Sequence, residues 1–219
     1  MKKLLIIFSF FITLFSFTAC SLDEPDFGDQ LYATDLAGKW RWSSSNEYSR
    51  IEFINLKYYF VTKTDGEVIY GTFRKTDDKQ FTLSGFGVID VSACDAAKLA
   101  FYLTLEGEDV QTSQSTYEDN ADEDDISDNT YLISTLWEVT SGSGVDYFLF
   151  STAGTFMTID TSGTATSGSW FWESETNKTI SYTINSVTNT MSVSYLTDSH
   201  ATITYGGNQY TLEPYSGSF

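Results

Sequence analysis

The feature that most constrains the fold is an internal repeat. Residue n aligns with residue n + 97 without a gap from 36–83 to 133–180, and seven of the 48 pairs are identical. The matches fall mainly on aromatic residues and glycines, which packing and backbone geometry restrict most strongly. They include Trp40 with Trp137, Phe53 with Phe150, and Gly71 with Gly168. We interpret the repeat as two copies of one structural unit; the alternative is a chance register between similar strands.

Both copies consist of short segments that are typical of β-strands. In the first copy, 49–53, 58–62 and 67–73 are rich in β-branched and aromatic residues, and Asp65-Gly66 predicts a hairpin turn. In the second copy, comparable segments recur at short intervals, separated by turn residues. Such spacing favours a sandwich or a barrel. We therefore predict an all-β protein with two tandem small antiparallel barrels or sandwiches, against one larger barrel shared by both copies. Only 93–100 is compatible with a short helix.

An acidic segment lies between the two copies. Residues 106–129 contain ten of the 30 acidic residues and none of the 12 basic residues. Because a run of like charges repels itself and buries nothing, it predicts a solvated linker or a long loop. A calcium site is the alternative, since closely spaced carboxylates bind hard cations. The net charge of −18 also argues against a nucleic-acid partner.

The first twenty residues are typical of a secretory signal peptide. Two lysines precede an uncharged run, 4–17, that is too short to span a bilayer. The sequence Phe17-Thr18-Ala19-Cys20 resembles the lipobox of bacterial lipoproteins. The resemblance implies cleavage before Cys20, lipidation of Cys20 and anchoring to the outer membrane. The alternative is an ordinary signal peptide with a free Cys20.

The predicted organisation follows from these segments. The expected divisions are a lipoprotein signal peptide at 1–19, an N-terminal tether at 20–34, a first β module at 35–105, an acidic linker at 106–129 and a second β module at 130–219. The acidic residues that follow Cys20 resemble the surface-export signal of some Gram-negative lipoproteins. A periplasm-facing position and a cell-surface position are both open, and this signal slightly favours the surface.

Short motifs in both copies resemble the lipocalin and calycin families. Gly38-Lys39-Trp40 matches the Gly-x-Trp motif that opens the first strand of those barrels, and the second copy keeps Trp137. The segment 150–156 resembles a hairpin of the small lipocalin-like domains found in bacterial lipoproteins. The resemblance covers about 36–105 and 131–215, and it implies that each copy is an up-and-down barrel closed at one end by its Trp.

Residues that carry chemistry are few. The chain has one histidine, His200, and two cysteines, so a His/Cys metal site cannot be assembled. We predict no enzymatic activity, no cofactor and no metal site. Trp42 and Trp172 are the candidate ligand-binding residues, because flat aromatic rings stack on sugars; both are alternatively core residues.

These observations predict a lipid-anchored envelope lipoprotein with a non-catalytic binding role. The expected ligand is a glycan or a small apolar molecule. The alternative is a structural or protein-interaction component of the outer-membrane surface. An exposed Trp beside a groove would favour ligand binding, whereas filled barrels without a cleft would favour the protein-interaction role.

Overall fold

The chain folds into two closed eight-stranded antiparallel barrels in tandem, as the sequence predicts. The structure, a computed structural model, describes residues 31–105, 111–117 and 126–219. In each barrel the strands follow chain order around the wall, and the first strand pairs with the last to close it. A closed barrel leaves no unpaired strand edge.

Barrel 1 begins with a short helix, α1 (Ala33–Leu36), and its wall contains eight strands. They are β1 (Gly38–Trp42), β2 (Tyr48–Ile54), β3 (Tyr58–Lys63), β4 (Val68–Asp77), β5 (Gln80–Leu83), β6 (Gly87–Cys94), β7 (Lys98–Leu105) and β8 (Gln111–Tyr117). Closure places Trp40 opposite Tyr117 and Trp42 opposite Ser115.

Barrel 2 repeats this plan after a second short helix, α2 (Asp128–Ile133). Its strands are β9 (Leu136–Ser141), β10 (Val145–Phe150), β11 (Thr155–Asp160), β12 (Ala165–Ser174), β13 (Thr179–Ile184), β14 (Val187–Leu196), β15 (Ala201–Tyr205) and β16 (Asn208–Pro214). Closure between β16 and β9 places Pro214 opposite Trp137. Strands β3 and β4 and their counterparts β11 and β12 have the same bounds after the shift of 97 residues.

The two repeated tryptophans occupy the same structural position in their barrels. The indole Nε1 of Trp40 donates a hydrogen bond to the carbonyl of Leu36 at 2.9 Å, and Nε1 of Trp137 donates to the carbonyl of Ile133 at 2.8 Å. Both rings are buried. Each tryptophan therefore ties the helix that precedes its barrel to the core, and the predicted repeat fits the structure.

The repeated glycines also have a shared physical cause. A Cβ on Gly71 would lie 2.7 Å from the carbonyl oxygen of Ser84, and one on Gly168 would overlap the carbonyl oxygen of Thr183. Both glycines permit the close approach of the neighbouring strand. Gly66, in the predicted hairpin turn, has φ +94°, a conformation that favours glycine.

The structure differs from the sequence prediction in two places. Strand β8 lies inside 106–129, where the sequence predicts a linker, so barrel 1 extends to residue 117. Its inward-facing Ser113 and Ser115 are buried, although small hydroxyl side chains give no apolar signal. The short helix that the sequence allows at 93–100 does not form: β6 and β7 cover most of this segment and form a hairpin.

Aromatic side chains fill the interior of both barrels. In barrel 2, rings from strands that are not direct neighbours in the wall meet at centroid distances of 5.0 Å for Phe156 and Tyr182, and 5.1 Å for Phe148 and Tyr210. Cys94 belongs to the barrel 1 core, and burial raises the pKa of its thiol to about 12, so it stays protonated. No helix in the described ranges has the length and apolar character needed to cross a membrane.

Candidate functional site

The two barrels contact each other through equivalent strands, and this interface contains the candidate site. One apolar cluster joins outward-facing residues of β2, β3 and β4 to those of their counterparts β10, β11 and β12 and of β9. Phe60 and Met157 hold the same position in the two copies and both belong to this cluster. An interface between equivalent surfaces consists of two equivalent halves. In this protein the two halves have different side chains.

We call the first half the closed half, because large side chains fill it. Its residues are Ile54, Tyr58 and Tyr70 from barrel 1 and Leu136, Tyr147, Leu149 and Ile159 from barrel 2. The hydroxyl of Tyr70 donates to the carbonyl of Gly163 at 2.8 Å, and Asn55 donates to Thr135 Oγ1 at 2.8 Å. Burial raises the pKa of Tyr58 and of Tyr147 to about 12, so both phenols remain neutral hydrogen-bond donors.

We call the second half the cleft, because it is open. Its main pocket has a volume of about 340 Å³ and lies between the outer walls of the two barrels. Barrel 1 contributes the charged residues Lys39, Arg50 and Glu52, whereas barrel 2 contributes the hydroxyls of Thr155, Ser167, Ser169 and Thr183. Phe60, Met157 and Val68 add an apolar lining. The cleft therefore combines a cationic and acidic wall, a hydroxyl wall and an apolar lining.

The repeat explains why one half is closed and the other is open. The counterparts of Lys39, Arg50 and Glu52 in the second copy are Leu136, Tyr147 and Leu149 of the closed half. The counterparts of Thr155 and Ser167 in the first copy are Tyr58 and Tyr70. Each large apolar or aromatic residue of the closed half thus has a charged or small polar counterpart in the cleft, so the space stays open and polar.

Covered hydroxyls without hydrogen-bond partners line the cleft and a smaller pocket beside it. Thr155 is 7% exposed, and its Oγ1 has no partner among the described residues. A second pocket of about 200 Å³ lies where the two halves meet, because it shares Glu52 with the first pocket and is also lined by Ile54 of the closed half. Ser134 lines this pocket too, and its covered Oγ has no partner in the described part of the chain either. Covered polar groups are nearly always paired, so an unpaired one requires an explanation such as a water or a ligand.

Charged groups lie where the two pockets meet. Glu52 is only 5% exposed and stands directly opposite Lys39 in the β1–β2 register. Lys39 Nζ lies 3.5 Å from the carbonyl oxygen of Ala153, in the turn of barrel 2 that lines the smaller pocket. Lys39 therefore reaches across the interface and provides a donor for an oxygen-rich ligand.

The residues predicted as ligand-binding from sequence lie elsewhere. Trp42 is 4% exposed and packs inside barrel 1 against Tyr48 and Phe101, at 4.9 and 5.2 Å; its Nε1 has no partner among the described residues. Trp172 is half-buried against the barrel 2 core, and its Nε1 donates to Thr130 Oγ1 at 3.0 Å. Neither tryptophan lines the cleft.

The remaining sequence candidates are also separate from the cleft. His200 Nε2 lies 3.1 Å from an oxygen of Glu213 on the exposed side of barrel 2. Cys20 and the acidic residues 118–125 lie outside the described residues. Within the described ranges, no group of three His, Cys, Asp or Glu side chains is placed to hold a metal ion.

The assignment of a function rests on the geometry of the cleft. No model of a known protein family matches the chain, and a search of curated proteins found no significantly similar sequence.

Proposed function

We propose that the protein binds a short glycan, without catalysis, in the cleft between its two barrels. The observation that carries the proposal is Thr155, a residue that lines the open half of an interface whose equivalent half is filled, and whose covered hydroxyl has no partner among the described residues. Leaving a buried hydroxyl unpaired costs about 1–3 kcal/mol. A ligand hydroxyl that pairs with Thr155 offsets that cost.

The chemistry of the cleft supports a sugar more than an apolar ligand. Sugar hydroxyls both donate and accept hydrogen bonds, and the cleft presents hydroxyls, the Glu52 carboxylate and the Lys39 ammonium. The apolar faces of sugar rings can lie against Phe60 and Met157. The aromatic packing inside both barrels favours a site between them over one inside them. The main pocket lies in the size range of small-ligand sites, about 300–1,000 Å³.

The proposal includes attachment to the outer membrane through a lipidated Cys20. Mass spectrometry of the protein isolated from its native membrane is expected to find an acylated cysteine as the first residue of the mature chain. A Cys20→Ser variant is expected to leave the membrane fraction, because acyl chains provide the anchor. An unmodified Cys20, or a Cys20→Ser variant that stays in the membrane fraction, would contradict the anchor.

A pair of substitutions tests the cleft. A glycan array identifies a ligand, and calorimetry then compares affinities with that glycan. Thr155→Val keeps the side-chain shape and removes the hydroxyl, so we expect affinity to fall about 3- to 10-fold, the usual effect of one hydrogen bond. Ser167→Tyr introduces into the cleft the residue type found at the equivalent position of the closed half, Tyr70. It is expected to fill the cleft and abolish binding.

A matched control separates the cleft from the rest of the barrel wall. Thr190→Val makes the same change at an exposed position of β14 that does not line the cleft, and we expect unchanged affinity. If folded Ser167→Tyr protein binds the glycan as well as the original chain, the ligand site is not the cleft. An array with no ligand would favour the protein-interaction role instead.

A further inference from the structure

The segment 215–219, which follows the last strand of barrel 2, packs into the closed half of the interface. Its two aromatic residues contact three tyrosines. Tyr215 stacks on Tyr58 at a centroid distance of 5.9 Å, and Phe219 meets Tyr70 edge-on at 4.9 Å and Tyr147 at 5.3 Å. Since Tyr58 and Tyr70 belong to barrel 1 and Tyr147 belongs to barrel 2, the three tyrosines form a groove whose walls come from both barrels.

Side chains of barrel 1 bind the backbone of this segment. The hydroxyl of Tyr58 lies 3.1 Å from the carbonyl oxygens of both Tyr215 and Gly217, and Lys57 Nζ donates to the carbonyl of Ser216. A backbone hydrogen bond joins Tyr215 N–H to the carbonyl of Leu136 at 2.8 Å. The groove thus recognises backbone carbonyls through side-chain donors, as a peptide-binding site does.

The segment has a specific conformation in the groove. Tyr215 donates its hydroxyl to the carbonyl of Ser218 at 2.8 Å, which folds the segment back on itself. A Cβ on Gly217 would lie 2.6 Å from Cζ of the Tyr215 ring, so a side chain at this position would force the ring to move. Phe219 is still 39% exposed, and Ser216 and Ser218 are exposed. The segment is therefore seated on the groove and is not enclosed by it.

The groove is the counterpart of the cleft. The three tyrosines that hold the segment, Tyr58, Tyr70 and Tyr147, correspond through the repeat to Thr155, Ser167 and Arg50, all of which line the cleft. The five-residue segment thus occupies the half of the interface that is equivalent to the cleft. This correspondence stands whatever ligand the cleft takes.

We propose that Tyr58, Tyr70 and Tyr147 form a peptide-binding groove, and that the segment 215–219 is its intramolecular ligand. The partner that the groove fits is a peptide of the same chemistry: two aromatic residues separated by Ser-Gly-Ser. Such a peptide exchanges with the segment, because both make the same aromatic contacts and offer carbonyls to Tyr58 and Lys57.

The test uses the synthetic peptide Tyr-Ser-Gly-Ser-Phe, amidated at its carboxyl end and labelled with a fluorophore at its amino end. Fluorescence anisotropy measures its binding to the full chain and to a chain that ends at Pro214. The shortened chain retains every described strand, because β16 ends at Pro214. We expect saturable binding to the shortened chain and affinity lower by about 10-fold or more for the full chain, in which the segment competes.

Two controls test recognition. The peptide Tyr-Ser-Ala-Ser-Phe is expected to bind about 10-fold more weakly, since its alanine Cβ would push away the tyrosine ring that stacks on Tyr58. In the shortened chain, Tyr70→Ala should weaken binding by a comparable factor. Tyr102→Ala removes an exposed tyrosine from β7, on a strand that contributes nothing to the described interface cluster, and should not change it.

Folding of the shortened chain is checked by circular dichroism and thermal unfolding. If it is folded and binds no peptide up to about 1 mM, a weak-affinity limit, the proposal is overturned. Equal binding of the glycine and alanine peptides also overturns it. If the shortened chain does not fold, the full chain with Gly217→Ala replaces it, because the added Cβ would push the Tyr215 ring out of its stacked position on Tyr58 and so weaken the competing segment. Peptide binding to that variant supports the groove, and its absence rejects it.

Discussion

Replacing Trp137 with alanine is expected to lower the free energy of unfolding by about 3–5 kcal/mol, the usual effect of truncating a buried tryptophan. Trp137 has 0% exposure and belongs to the barrel 2 core. The substitution leaves a cavity and also removes the hydrogen-bond donor to the carbonyl of Ile133. Urea denaturation followed by circular dichroism measures the change.

Two further variants separate packing from hydrogen bonding at this position. Trp137→Phe keeps a ring in the core but leaves the carbonyl of Ile133 without its donor, so we expect an intermediate loss of about 1–3 kcal/mol. Phe171→Ala truncates a 61% exposed ring on β12 and is expected to change stability by less than about 0.5 kcal/mol. A loss of less than about 1 kcal/mol in Trp137→Ala would contradict a core role for this residue.

The sequence predicts the two barrels because their signals are local or repeated. Alternating and β-branched segments locate most strands. The Trp40–Trp137 pair marks a core position at which an indole also donates a hydrogen bond, and the Gly71–Gly168 pair marks a position at which a neighbouring backbone leaves no room for a Cβ. Strand β8 was not predicted because its inward residues are serines. Its place is fixed by pairing with β1 and β7, which is a long-range constraint.

The cleft could not be predicted from strand patterns, because it lies between the outer walls of two barrels. Outward-facing residues give the same polar signal whether they meet solvent or another barrel. A usable signal is present in the repeat itself: Lys39 aligns with Leu136 and Glu52 aligns with Leu149. Where an apolar outward-facing residue of one copy aligns with a charged residue of the other, the two copies place this surface in different environments: one apolar, the other polar.

The different energetics of the two halves can be tested by moving a cleft residue into the closed half. Leu149→Glu gives barrel 2 the residue that barrel 1 has at position 52. Leu149 has 0% exposure, and its cluster consists of aliphatic side chains, methionine and aromatic rings. We expect a loss of about 3–5 kcal/mol, the usual effect of a buried charge left without a partner. Urea denaturation measures the loss.

The pH dependence identifies the cause of that loss. Desolvation raises the pKa of a buried carboxyl above its value in the unfolded chain, so the introduced carboxyl binds a proton more readily in the folded state. The penalty is therefore largest at neutral pH, shrinks as pH falls below the raised pKa of the folded state, and is smallest at about pH 4, where the carboxyl of the unfolded chain becomes protonated as well. A loss that is independent of pH would point to altered shape instead of charge.

Two controls connect the result to the interface between the barrels. Leu149→Met preserves the volume and the apolar character, and it should cost less than about 1.5 kcal/mol. Val187→Glu adds the same charge at a 59% exposed position of barrel 2 and should cost less than about 0.5 kcal/mol. If Leu149→Glu separates the barrels without unfolding them, small-angle scattering will show a larger radius of gyration with unchanged strand content. If Leu149→Glu lowers the free energy of unfolding no more than Val187→Glu does, the closed half does not exclude water. The proposed difference between the closed half and the cleft is then wrong.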